Sequence, residues 1–180
     1  MKEKRLSLKG VEIKVIAELM KNSRRSDREL AKAVGSSQPT VSRIIKKLEK
    51  EGYIKEYTMI PDFSRLGYQM MAFIFLGKQE TVNEDESAEL RKAALESEKR
   101  DPIACMTVAD GIGLGKGRVL TFLYKDYTSY CKGLERIRRL PHVEADDLES
   151  FVVDLNDENN FRVLSFREVA RQFETSERTA

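Results

Sequence analysis

The sequence predicts an α+β chain: a small all-helical N-terminal part, then a four-stranded antiparallel sheet with helices on one face, then one more helix. Three observations carry this. Apolar residues recur at helical spacing through residues 8–48, punctuated by cap and stop residues. From residue 69 the pattern changes to strand-length apolar runs mixed with amphipathic helical runs, in the order strand, helix, strand, strand, helix, strand. Charge divides at the same place: residues 1–66 hold 16 Lys and Arg against 9 Asp and Glu, a net of +7, and the remainder holds 16 against 21, a net of −5, beneath a total of only +2.

Taken in order, Lys2 to Arg5 form a basic tip. Leu8, Val11, Ile13, Val15, Ile16, Leu19 and Met20 predict a helix over 7–20, capped by Ser7. Asn22 to Arg25 is a polar break containing Arg24 and Arg25. Ser26 caps a second helix, Asp27 to Val34, and Glu29 three residues on completes a capping box; Leu30, Ala33 and Val34 are expected inside. Gly35-Ser36-Ser37 is a turn. Ser37 then caps a third helix, Pro39 is tolerated in its first turn, and Gly52 stops it. Val41, Ile44, Ile45 and Leu48 make its apolar stripe, while Gln38, Thr40, Ser42, Arg43, Lys46 and Lys47 occupy the opposite face.

Helix, glycine turn and polar-fronted helix make the helix-turn-helix pattern. Amide, hydroxyl and guanidinium groups at the start of its second helix are those that bond base edges and phosphates. Gln38, Thr40 and Arg43 are expected on base edges, Ser36, Ser37, Ser42 and Lys46 on edges or phosphates, and Arg24, Arg25 and Lys47 on the backbone of double-stranded DNA. A merely solvated basic face is the plain alternative; the coincidence of turn, caps and local positive charge favours DNA.

Tyr53 to Ile60 is rich in β-formers and predicts a strand, the start of a wing, ended by Pro61. Residues 1–60 therefore form the first domain, 61–67 a linker, 68–156 the second domain and 157–180 a C-terminal extension. In the second domain Gln69 to Gly77 is a strand apolar on both faces. Asp85 to Lys99 is a helix with Ala88, Leu90, Ala94 and Leu95 inward, and Ile103 to Ala109 is a strand. Asp110 to Gly117 is a turn and Arg118 to Tyr124 a strand. Asp126 caps a helix with Tyr130, Leu134, Ile137 and Leu140 on one face, ended by Pro141, and Val143 to Leu155 contains the last strand. This is the ferredoxin-like βαββαβ order. The sheet face away from the helices needs a cover, and a second subunit is the economical one. The alternative cover is the C-terminal helix begun at Ser165 and Glu168, with Phe166, Val169, Ala170 and Phe173 on one side, which is short for a four-stranded sheet. Thr175 to Ala180 is expected to be a disordered tail.

Composition argues against other classes. Cys105 and Cys131 lie in apolar segments without CxxC spacing, so buried thiols in a reducing cytoplasm are expected. His142 is the single histidine, and neither a metal site nor a catalytic triad can be assembled around it. No apolar run reaches membrane-spanning length. Gly111, Gly113, Gly115 and Gly117 with Lys116 fit neither phosphate-loop nor dinucleotide spacing and join two strands. The acidic groups Glu84, Asp85, Glu86 and Glu89, and Asp146, Asp147 and Glu149, sit at solvated element ends. No cofactor and no enzymatic activity are expected.

The chain resembles the Lrp/AsnC (leucine-responsive, feast/famine) transcription regulators. The matching pieces are Asp27 to Gly52 with its VSRIIKKLEKEGYIKEYT ending, Leu66-Gly67-Tyr68 entering the second domain, and Arg138-Arg139-Leu140-Pro141-His142-Val143 before the last strand. A MarR-like winged helix has a similar TVSRIIKKLEKEGYI; the order of the two domains separates them. A small-ligand sensor or enzyme with an accessory basic domain is the other alternative. The resemblance implies a DNA-binding dimer or higher oligomer, with Tyr53 to Met59 exchanged between subunits. It also implies an amino-acid effector near the turn between the middle strands, at a contact between dimers. Asp110, Gly111, Gly113 and Gly115 are the residues available there, Asp110 for the ammonium and the glycine amides for the carboxylate. Four glycines in eight residues are costly to order, and Arg118 puts positive charge where the family prefers an acid. Tight amino-acid binding is therefore not expected, and an effector, if present, is a different anion.

Overall fold

The computed structural model describes residues 8–77, 84–100, 104–160 and 164–176. They divide into two compact units: residues up to 60 together with the C-terminal residues from 164, and residues 61–160. The basic tip, the Ser7 cap, Ile103 and the end of the tail from 177 lie outside the described residues.

The first unit contains α1 (Gly10–Lys21), α2 (Asp27–Val34), α3 (Gln38–Lys50) and α6 (Arg167–Ser176). Helix α1 begins later than its apolar pattern, with Lys9 at the N-cap position and the Lys9 N–H bonded to Glu12 Oε2 at 2.8 Å. Val15, Leu30, Ala31, Val41, Ile44 and Leu48 form the core. Ala33, expected inside, is exposed, and Ala31 takes the inward place. Helix α6 packs along α1, with Ala170 fully buried; Phe166 and Val169, expected on its packed side, remain 46% and 41% exposed.

The expected strand over Tyr53–Ile60 is not formed in this chain. A strand needs a partner for its ladder groups, and among the described residues no strand pairs with this segment. The segment runs without regular structure, tied back by Ser23 Oγ donating to the Thr58 carbonyl at 3.0 Å and Tyr57 Oη donating to Glu49 Oε1 at 2.9 Å.

The second unit contains β1 (Met70–Gly77), α4 (Glu84–Arg100), β2 (Ala104–Gly113), β3 (Lys116–Tyr124), α5 (Tyr127–Arg138), a 3-10 turn (Ala145–Asp147) and β4 (Glu149–Asp154). The strands lie in the order β2-β3-β1-β4, all antiparallel, with Ile74 opposite Leu120 on one side and Ser150 on the other. Ala72, Ile74, Leu76, Leu120, Phe122 and Tyr124 face the core with Tyr130 and Ile137. Alternation sends Phe73, Phe75 and Phe151 to the other face, where Phe151 is 63% exposed. Two residues expected inward on α4, Ala88 and Leu95, are exposed. Cys105 and Cys131, expected buried, are half-buried free thiols.

The expected eight-residue turn over 110–117 shrinks to two residues. Strands β2 and β3 pair up to Gly113 and Lys116, and Leu114 and Gly115 close the hairpin with φ of 54° and 71°. Positive φ at both central residues is the twist that a two-residue hairpin requires. Lys116 is buried and binds Asp147 and, at 3.1 Å, Glu149, so this end of the hairpin is anchored rather than loose.

Candidate nucleic-acid interface

Local chemistry sets the helix-turn-helix. Ser26 Oγ accepts from the Glu29 N–H at 3.3 Å, and Glu29 Oε2 accepts from the Ser26 N–H at 2.7 Å. That return bond, and a second from the Ser26 hydroxyl, hold the Glu29 carboxyl below its ordinary value. Gly35 ends α2 in the left-handed conformation at φ 68°, where a side chain would be strained. Ser37 caps α3: its Oγ accepts from the Thr40 N–H at 3.4 Å and lies 2.8 Å from Thr40 Oγ1.

With Val41, Ile44 and Leu48 buried, helical geometry turns Ser42, Arg43 and Lys46 outward. Gln38, Arg43 and Lys46 are exposed, while Thr40 and Ser42 are half-buried. Arg43 Nε donates to the Pro39 carbonyl at 3.3 Å. Lys50, four residues beyond Lys46 and also exposed, continues the stripe; the spacing 43, 46, 50 already marks it in the sequence. Ser36 is half-buried at the turn and Ser37 is exposed, and Arg24 is exposed with its N–H bonded to Asn22 Oδ1 at 3.0 Å.

Two of the candidate cations are engaged inside the unit. Arg25 pairs with Glu18. Lys47 Nζ lies 2.8 Å from Glu12 Oε1, and Glu12 is only 4% exposed. The Lys47 ammonium, then the Lys9 N–H, hold the Glu12 carboxyl below its ordinary 4.5, while the bond to Glu12 raises Lys47. Tyr57, which secures the exit segment to α3, is pushed up to about 12 by burial and by its bond to Glu49.

A family model described as winged helix-turn-helix DNA-binding matches residues 8–55. The leucine-responsive regulatory protein of Rhizobium meliloti is 37% identical over 73 residues, which are 41% of this chain and 47% of that protein. The HTH-type transcriptional regulator LrpC of Bacillus subtilis is 35% identical over 69 residues, 38% of this chain and 48% of its own. The chain thus spans about half the length of the curated relatives it matches. The likeness in fold reaches further. The solved structure of LrpC covers 82% of this chain and 95% of its own with a TM-score of 0.64 at 20% identity. That of an AsnC family regulator from Agrobacterium tumefaciens covers 81% and 90%, with a TM-score of 0.68 at 18% identity. The chain has the fold of these Lrp/AsnC regulators.

Of the hairpin residues marked as effector candidates, Asp110, Gly111 and Gly113 are strand residues and Gly115 lies in the two-residue turn. Asp110 lies opposite Arg118, whose Nε is 2.6 Å from its Oδ1. Gly111, Gly113 and Gly115 are exposed at the hairpin end. Among the described residues no group of three or more His, Cys, Asp or Glu is arranged to hold a metal ion, and no helix is long and apolar enough to cross a membrane.

The Glu12–Lys47 pair has a pH signature. A lowered folded-state pKa means that the Glu12 contribution is complete above the unfolded value of 4.5 and is lost as pH falls through the folded value. Lys47, being raised, keeps its contribution up to 10.5 and loses it above. Glu12→Gln is expected to lower the urea midpoint at neutral pH, with the difference from the parent chain closing as pH falls below 4.5 and through the lowered folded-state value. A difference that stays constant with pH would show that the ion pair is not its source.

Proposed function

We propose that this chain is a sequence-preferring DNA-binding transcriptional regulator acting as a homodimer, rather than an enzyme. The outward stripe of Ser42, Arg43 and Lys46 on a helix whose cap and core are fully set carries the reading. Gln38 and Arg43 read base edges, helped by Ser42 at the same groove, and Lys46, Arg24 and the exposed Ser37 hold phosphates. Lys47, Arg25 and Thr40 support the helix through their internal bonds, and Ser36 shapes the turn that aims it. A mobility-shift titration over genomic fragments tests this. Retardation at low salt that weakens steeply as salt rises is expected; no retardation, or a complex indifferent to salt, refutes it.

The dimer forms through the sheet face bearing Phe73, Phe75 and Phe151. Half-buried and exposed aromatic residues in register on adjacent strands are the composition of an interface core. The unpaired Tyr53–Ile60 segment, with Met59 71% exposed, supplies a strand to the second subunit. Phe151→Asp is expected to halve the mass seen by light scattering at micromolar concentration; an unchanged mass places the interface elsewhere. Higher assembly from dimers is open to the same measurement on the parent chain.

Asp110, engaged by Arg118, is a poor partner for an incoming ammonium. Thermal-shift screening against the twenty amino acids is expected to give no stabilisation of several degrees. One such shift, abolished by Asp110→Ala, would establish the amino-acid effector at the hairpin instead.

A further inference from the structure

Helix α4 covers the sheet incompletely, and the reason is in its sequence. Leu90 is buried, but one turn on the corresponding place is held by Ala94, and Ser97 and Glu98 follow. Short and polar side chains cannot reach the apolar strand residues beneath, whereas α5 packs closely through Tyr130 and Ile137. The result is a cavity of about 440 Å³ between α4, α5 and the helix-side face of the sheet, with Leu76, Leu120 and Phe122 as its floor. That is the size range of small-molecule sites, about 300–1,000 Å³.

Charge gathers around this apolar floor. Arg91 and Glu98 come from α4, Asp110 and Arg118 from the β2–β3 hairpin, and Arg136 from α5. Among the described lining residues three guanidinium groups thus stand against two carboxylates, and one carboxylate, Asp110, already pairs with Arg118. The planar fork of arginine suits a carboxylate. The excess of a single positive charge matches one negative charge, not a phosphate diester chain or a polyanion. Among the described lining residues Ser97 is the one neutral polar side chain, which leaves little for a sugar or other polyol.

We propose that this cavity binds a monocarboxylate with an apolar body, the tail against Leu120 and Phe122 and the carboxylate at the arginine rim. The site goes beyond the DNA-binding reading and lies wholly within the second unit, so it stands or falls without DNA in the experiment. Octanoate is titrated into the full chain by calorimetry, with octan-1-ol as the uncharged control. Saturable one-to-one binding of octanoate is expected, with octan-1-ol at least about tenfold weaker. Ala94→Phe fills the cavity and should abolish saturation while leaving the thermal midpoint of the free chain equal or higher. The double variant R91Q/R118Q turns the rim's excess charge from positive to negative and should weaken octanoate about tenfold or more without changing octan-1-ol. If Ala94→Phe fails to fold, the double variant decides by itself. No saturable octanoate binding, equal binding of the alcohol, or octanoate binding undiminished in the double variant would overturn the proposal.

Discussion

Leu48→Ala is expected to destabilise the N-terminal unit by about 3 kcal/mol. Leu48 is fully buried and closes the core formed by Val15, Leu30, Ala31, Val41 and Ile44. Truncation removes the transfer free energy of the lost methyl and methylene groups, and the helices around it collapse only partly into the space. A unit this small buries a modest fraction of its surface, so such a loss is a large part of its stability. Lys46→Ala, two residues away on the solvent side, should change stability by no more than about 0.5 kcal/mol. Urea denaturation of the two variants against the parent chain measures both. A loss below about 1 kcal/mol for Leu48→Ala would mean that the three-helix core is not what holds α3.

Arg43→Ala is expected to weaken binding to a selected DNA site by about 1–3 kcal/mol and to relax the base preference at one position of that site. Its guanidinium stands on the solvent face of α3, and its present bond to the Pro39 carbonyl uses only Nε. The remaining donors can address a guanine edge in pairs. Lys46→Ala should behave differently, weakening all sequences alike and reducing the salt slope by about one. Competition titrations across single-base variants of the site distinguish the two. A uniform loss from Arg43→Ala would reassign it to the phosphates.

The caps and the strand order were open to sequence reading because the interactions behind them are short. Ser26 meets Glu29, Ser37 meets Thr40 and Asp126 meets Ser129 within one helical turn. Alternation along β1 similarly places Ile74 and Phe73 on opposite faces without reference to anything distant. The glycine cluster misled for an identifiable reason. Gly111 and Gly113 fit a turn by composition, yet β2 runs through both, with Gly113 paired to Lys116 beyond an irregularity in register after Asp110, and Leu114 with Gly115 suffices to reverse the chain. Tyr53 to Ile60 erred the other way: β-propensity marks a segment able to pair, and pairing needs a second strand.

What the sequence determined alone is the helix-turn-helix, the βαββαβ order and the residue types on the outward face of α3, all set by spacings of one to four residues. Only the tertiary structure decided that Lys47 and Arg25 turn to Glu12 and Glu18, that Asp110 is matched by Arg118, that α6 returns to α1, and that α4 leaves a cavity above Leu120 and Phe122. Lys47 reaches an acid 35 residues away. Such partnerships depend on which surfaces the packed helices and strands bring within a few ångströms, and no local pattern of residues encodes that distance.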